Sequence, residues 1–178
     1  MRTRFTSLIP MLAGVAVMAG ALSASPARAG APNLAEAWNA PAIAWHTLAT
    51  GIPKATRTGK TVMMVFHAPW CTACAKFRSV FKDERVVAAS RGVVMILVDA
   101  DADKTANGAF APDGTYVPRT LFLSPAGEVR TDLVGKTDPQ HPHTVDIENP
   151  DELLALMRQA GATKPDGTVP HPDQRAEQ

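Results

Sequence analysis

Cys71 and Cys74 are the only thiols in the chain, and they stand three positions apart in VFHAPWCTACAKF, residues 65–77. Such a pair can exchange disulfides if one sulfur is held as the thiolate, which is the nucleophile. Were a helix to begin at the pair, Cys71 would occupy its N-terminus, where unsatisfied N–H groups and the helix dipole favour negative charge. Cys74 would then sit one turn on, close enough to close a disulfide. In this chemistry Cys71 attacks a substrate disulfide and Cys74 resolves the mixed disulfide that results. The two sulfurs need opposite surroundings, the first exposed and the second sheltered. Trp70, beside the first, offers a flat apolar wall for a docking partner.

Other uses of the pair are weaker. A structural disulfide across so short a step closes a tiny loop and removes little chain entropy. A metal site needs three or four ligands, and His141 and His143 lie in a loop far along the chain, so neither a metal nor another cofactor is implied. Asp99, Asp101 and Asp103 have the spacing of a calcium loop, but Lys104 stands where glycine is required and Phe110 where glutamate is. The remaining alternative is a binding module, a thiol-based chaperone or copper(I) carrier without redox turnover, since soft thiolates select that ion.

The elements around the pair describe an α/β fold. TVMMVF (61–66) and VVMILV (93–98) are continuous apolar runs, as expected of strands covered on both faces. Between them Phe77, Val80 and Phe81 recur at helical spacing, which predicts one helix from Cys71 to about Ala89. Strand, helix and strand form a right-handed βαβ unit. AIAWH (42–46) reads as a short first strand, and PKATRTGK (53–60) as a polar helix begun by Pro53 and stopped by Gly59. A polar loop follows Asp99, then the strand TLFL (120–123), and EVRTDLV (128–134) is expected to pair back antiparallel after Pro125-Ala126-Gly127. Asn149-Pro150-Asp151-Glu152 is a helix start, and Leu153, Leu156, Met157 and Ala160 give that helix its apolar face up to Gly161. The expectation is a central mixed sheet, βαβ then ββα, with helices on both faces. The domain spans 42–161, preceded by a loosely held lead-in (30–41) and followed by a disordered proline-rich tail (162–178).

These residues carry a resemblance. Pro-Trp-Cys-x-x-Cys between a buried strand and a helix, with Val117-Pro118 leading into an apolar strand 47 positions after Cys71, resembles the thioredoxin superfamily. FAPDGTYVPRTLFLSPAGEV (110–129) is similar to a stretch of the anterior-gradient group of small secretory-pathway proteins. The resemblance implies a thioredoxin-like fold, Cys71 as attacking and Cys74 as resolving cysteine, and Pro118 as a cis-proline facing them. A cis X-Pro bond fixes a tight turn, and it would present the backbone of Val117 for strand-like pairing with a substrate peptide. Arg119 either aids docking through its charge or is simply solvated. Thioredoxin carries a buried carboxylate six residues before its first cysteine; Val65 stands there, which leaves His67 as the candidate proton carrier. Thr72-Ala73 between the cysteines has neither the histidine of the oxidants nor the proline of thioredoxin. A potential toward the reducing half of the family range, about −270 to about −120 mV, is therefore expected. The Cys-x-Ala-Cys form also resembles the terminal domain of membrane electron carriers, implying protein thiols or disulfides as substrates and a membrane electron donor as redox partner.

The first 29 residues have a charged start (Arg2, Arg4), an uncharged apolar run over 8–22 and a small-x-small site at Ala27-Arg28-Ala29. This describes a secretory leader cleaved after Ala29, too short to span a bilayer stably, and it points to the periplasm, where paired cysteines can oxidise. Its loss removes three arginines and no acid, leaving 149 residues with 15 basic and 17 acidic side chains, a formal charge of −2. That balance excludes the basic footprint of a nucleic-acid or anionic-membrane binder. N-terminal sequencing of the exported protein should begin at Gly30; a start at Met1 would overturn the assignment.

Overall fold

A computed structural model describes residues 34–162. The expected leader, and the tail beyond Ala162, lie outside the described residues. Four strands form one sheet: β1 (Trp45–His46), β2 (Val62–His67), β3 (Val94–Asp99) and β4 (Arg119–Leu123), in the order β1-β3-β2-β4. β1, β3 and β2 are parallel, and β4 runs antiparallel to β2. The two central apolar runs are strands because both of their faces are buried. Along β2, Met63 and Val65 face one way and join Met95, Leu97 and Phe122. Val62, Met64 and Phe66 face the other way with Val94, Ile96, Leu121 and Leu123. Period-two alternation thus serves two cores at once.

The first core is covered by α3 (Thr72–Phe77), α4 (Glu84–Ser90) and α6 (Asp151–Ala162), and the second by α2 (Leu48–Thr58) and α5 (Lys104–Ala109). α2 begins five residues before the expected start, so Pro53 lies inside it. Leu48, Ile52 and Ala55 pack on the sheet, and that burial outweighs the backbone bond proline removes. Gly59 ends the helix in the left-handed region at φ 66°, as its type predicts. The single helix expected from Cys71 to Ala89 is three pieces: α3, a 3-10 turn at Val80–Lys82, and α4. Asp83 breaks the run with extended backbone (ψ 127°), and its carboxylate accepts from the Arg85 N–H to cap α4. Nor is the region after Asp99 all loop, since Asp103 caps α5 by accepting from the Ala106 N–H. The return segment 128–134 makes a single bridge, Val129 to Leu123, instead of a strand. Arg130 pairs with Asp132 and turns the chain, so that Leu133 enters the first core.

The lead-in is held more firmly than its composition suggests. α1 (Leu34–Ala37) delivers Trp38 into the first core with no exposed surface. There its ring meets Phe77 and Phe81 edge-on, with centroids 6.0 and 5.2 Å away. Asn39 follows at φ 66° and donates to the Phe81 carbonyl (2.8 Å). The compact part of the chain therefore starts before residue 42.

Gly51 is where α2 touches the sheet. A Cβ there would lie 2.5 Å from the Ile96 side chain and 3.2 Å from His46 Cβ, and Ile96 is fully buried. Gly51→Ala gains about 1 kcal/mol of helix propensity but overpacks the core at about 1–3 kcal/mol. Thermal unfolding should show a lower Tm for the variant; an unchanged or higher Tm would mean that α2 can move off β3.

Candidate active site

β2 ends at His67, and Ala68-Pro69-Trp70 turns the chain into α3, with the Cys71 N–H donating to the Ala68 carbonyl (3.1 Å). Cys71 is the N-cap of α3: its backbone is extended, and its sulfur accepts from the Cys74 N–H at 3.0 Å. The two cysteines are joined as a disulfide. α3 has only six residues, so this directed N–H, more than a summed helix dipole, is what can stabilise negative charge on the Cys71 sulfur after reduction. Cys74 is wholly buried and Cys71 is 5 % exposed. Cys71 is the more accessible of the two, but it is buried, not exposed as expected. It packs into the first core beneath a segment from later in the chain.

That segment is Val117-Pro118. β4 pairs antiparallel with β2, Arg119 opposite Phe66, so the start of one strand lies beside the end of the other. The Val117 carbonyl oxygen comes within 3.6 Å of the Cys71 sulfur, and the Val117-Pro118 peptide bond is cis. Pro118 is buried and Val117 half-buried. Trp70 stands beside the pair with 71 % of its surface exposed, the one large exposed apolar side chain among the described residues. Its indole N–H donates to Asp101 Oδ2 (2.8 Å), which fixes the ring against the loop after β3. The sequence carries no local signal for this partner. Asp101 lies 31 residues from Trp70, and the parallel pairing of β2 with β3, His67 opposite Asp99, brings them together.

Arg119 corrects both expectations for it. The side chain is neither solvated nor available for docking, being fully buried. Its guanidinium lies 4.2 Å from the Phe66 ring centroid and donates to the Tyr116 carbonyl (2.9 Å) and to Asn107 Oδ1 (2.8 Å). Burial lowers its pKa from the usual arginine value. Carbonyl oxygens and a π face take the place of a carboxylate.

His67 is 1 % exposed, 5.6 Å from the Trp38 ring, and neither of its ring nitrogens has a hydrogen-bond partner. Burial lowers its pKa, opposed in part by the field of Asp99. The imidazole is therefore neutral near pH 7, with one nitrogen free to accept a proton.

Residues 44–125, which include Cys71, Cys74 and Pro118, match a family model described as thioredoxin-like. The chain is 33% identical over 98 residues to anterior gradient protein 3 of Xenopus tropicalis, covering 53% of this chain and 57% of that one. It is 36% identical over 110 residues to the thiol:disulfide interchange protein DsbD of Ralstonia nicotianae, covering 61% of this chain and 17% of the other. The chain thus spans little more than half of the first relative and a small part of the second. A thioredoxin from Thermus thermophilus superposes with a TM-score of 0.50 at 24% identity, over 66% of this chain and 86% of that one, a likeness of fold.

The His67 environment has a measurable consequence. With its pKa depressed below 6.5 in the folded state, the unfolded chain binds the proton first as pH falls, so folding stability drops below about pH 6.5. At pH 7 and above, both states are neutral and the effect vanishes. The stability of the wild type should fall between pH 6.5 and 5 more steeply than that of His67→Gln, by up to about 1.4 kcal/mol per pH unit. Parallel denaturation curves for the two proteins would show that the ring takes up protons as freely folded as unfolded.

Proposed function

We propose that this chain, which belongs to the thioredoxin superfamily, is an exported thiol–disulfide oxidoreductase that reduces or exchanges disulfides of protein substrates. The observation that carries the reading is the Cys71–Cys74 disulfide, with its more accessible sulfur beneath the Val117 carbonyl of a cis X-Pro turn.

The cycle starts from the dithiol. The Cys71 thiolate, stabilised by the Cys74 N–H, attacks one sulfur of a substrate disulfide; that bond breaks and the departing substrate thiolate takes a proton. The Cys74 thiol then loses its proton and attacks the Cys71 sulfur, releasing the second substrate thiol and re-forming the Cys71–Cys74 bond. Two electrons pass from the dithiol to the substrate. Another dithiol must return them, and a membrane thiol–disulfide carrier suits an exported protein. His67 is the candidate to take the Cys74 proton, being neutral and unpartnered on the strand that leads into the pair. Val117 and Pro118 would pair with substrate backbone, and Trp70 would support the substrate side chain beside them.

Thr72-Ala73 adds no group that stabilises the thiolate beyond the Cys74 N–H, which favours the disulfide over the dithiol and so a reducing potential. Likeness to a relative named as a thiol:disulfide interchange protein supports exchange chemistry. The periplasm remains the proposed location, on the strength of the leader at 1–29. No helix among the described residues is long and apolar enough to cross a membrane.

Reduced protein should turn over insulin disulfides, and Cys74→Ala should accumulate a mixed disulfide on Cys71. Its redox potential should lie nearer about −270 than about −120 mV. Stoichiometric copper(I) uptake without turnover would assign the thiols to a carrier instead, and a potential near the oxidising limit would reverse the direction of electron flow.

A further inference from the structure

The residues leading into Val117-Pro118 carry a polar cluster unconnected with the cysteines. The Tyr116 hydroxyl donates to Asp113 Oδ2 at 2.5 Å and accepts from the backbone N–H of His143 at 3.1 Å. His143 Nδ1 lies 2.9 Å from Asp113 Oδ1, so one carboxylate holds both rings. This contact places a proton on Nδ1. The buried Nε2 has no hydrogen-bond partner. Asp113 stays ionised, because those hydrogen bonds outweigh the cost of its burial. The Tyr116 ring also packs edge-on against His141, 4.6 Å between centroids, and His141 is held in turn by Asp138.

The cluster grips the cis peptide from both sides. Before it, Tyr116 gives its hydroxyl to Asp113 and its carbonyl to Arg119. After it, the Thr120 N–H donates to the His143 carbonyl (2.7 Å), and the Thr144 hydroxyl reaches the Pro118 carbonyl (3.4 Å). Gly135 admits this crossing: its N–H donates to the Pro142 carbonyl, and any Cβ on it would strike the Thr144 carbonyl. A loop 26 residues downstream is thereby fastened to the turn that faces Cys71.

β4 begins at Arg119, so residues 116–118 lack the ladder bonds that fix the strand. Without another constraint the Val117 peptide would sample several orientations, and a substrate strand pairing with it would have to freeze them out. Prior ordering removes that cost from the binding step.

We propose that Asp113, Tyr116 and His143 are positioning residues that hold the Val117-Pro118 backbone ready to pair with the main chain of a polypeptide substrate. They thereby favour extended protein disulfides over small-molecule disulfides. The inference rests on the exchange reading of the Cys71–Cys74 pair, and the three side chains take no part in the bond-making steps.

The test compares the wild type with Tyr116→Phe, which removes only the hydroxyl, and with Asp113→Asn, which keeps a carboxamide of the same shape. The first readout is the ratio of the rate with insulin to the rate with a small aromatic disulfide. It should fall five- to tenfold in Tyr116→Phe, mainly through a higher KM for insulin, and less in Asp113→Asn. Loss of stability alone would lower both rates together and leave the ratio unmoved, and that result overturns the proposal. A second readout needs no turnover: titration of oxidised protein with insulin B chain carrying serine for cysteine, followed by tryptophan fluorescence, in which Trp70 is the exposed ring. A five- to tenfold weaker Kd in Tyr116→Phe, with faster exchange of the Thr120 amide, supports the cluster even if wild-type protein fails to reduce insulin and the exchange reading falls. An unchanged Kd overturns it.

Discussion

The antiparallel pairing of β2 with β4, Phe66 opposite Arg119, is the constraint from which the site follows. It sets the C-terminal end of one strand beside the N-terminal end of the other. The cysteine turn therefore leaves the sheet where the cis peptide enters it. A slip of one residue would exchange the faces of every side chain on β4, sending Leu121 out of one core and Phe122 out of the other. Arg119 reinforces the register. Its guanidinium is sealed over Phe66 and is stabilised only while Tyr116 and Asn107 face it. A buried cation that loses its acceptors is costly, so the arginine penalises alternatives more than it strengthens the native state.

The same pairing explains the access to the sulfurs. Cys71 is covered by the segment that β4 brings across, and Cys74 by the first core, so the pair differs in depth while remaining in one turn of chain. Trp70 is pushed outward by the tight Ala68-to-Cys71 turn and tied by its N–H to Asp101. An aromatic ring held in one orientation offers contact area at little entropic cost. The rim of the pair is thus ordered before any partner arrives.

Trp38 links the edge of the domain to the chemistry. Coming from the lead-in, it packs against both Phe77 and Phe81, which also touch each other, and forms one wall around His67. The dryness that depresses the histidine pKa is partly its doing, because an indole offers that ring no good acceptor and excludes water that would. Packing and proton affinity are here two consequences of one contact.

Local chemistry was readable from the sequence wherever it was self-sufficient. Short apolar runs rich in β-branched residues between turn signals fit strands buried on both faces; the Cys-x-x-Cys and Val-Pro signals each lie within a few residues; Asn149 signals the last helix start, its side chain accepting from the Asp151 N–H. Asp113 and Tyr116 lie in the motif before Pro118, but nothing local says that they bond to each other or that His143 completes their cluster. The break of the expected long helix at Asp83, the helix hidden in the polar loop, the burial of Trp38 and the turn at Asp132 were not readable. Each depends on whether a residue finds burial or a partner distant in the chain. Arg119 is the extreme case, since its type argues for solvent and only a sheet register that seats it on Phe66 puts it inside. Sequence determined the cysteine pair and the strands around it. Tertiary structure alone decided their depth, facing and charge environment, because those are set by neighbours from other segments, which no local pattern encodes.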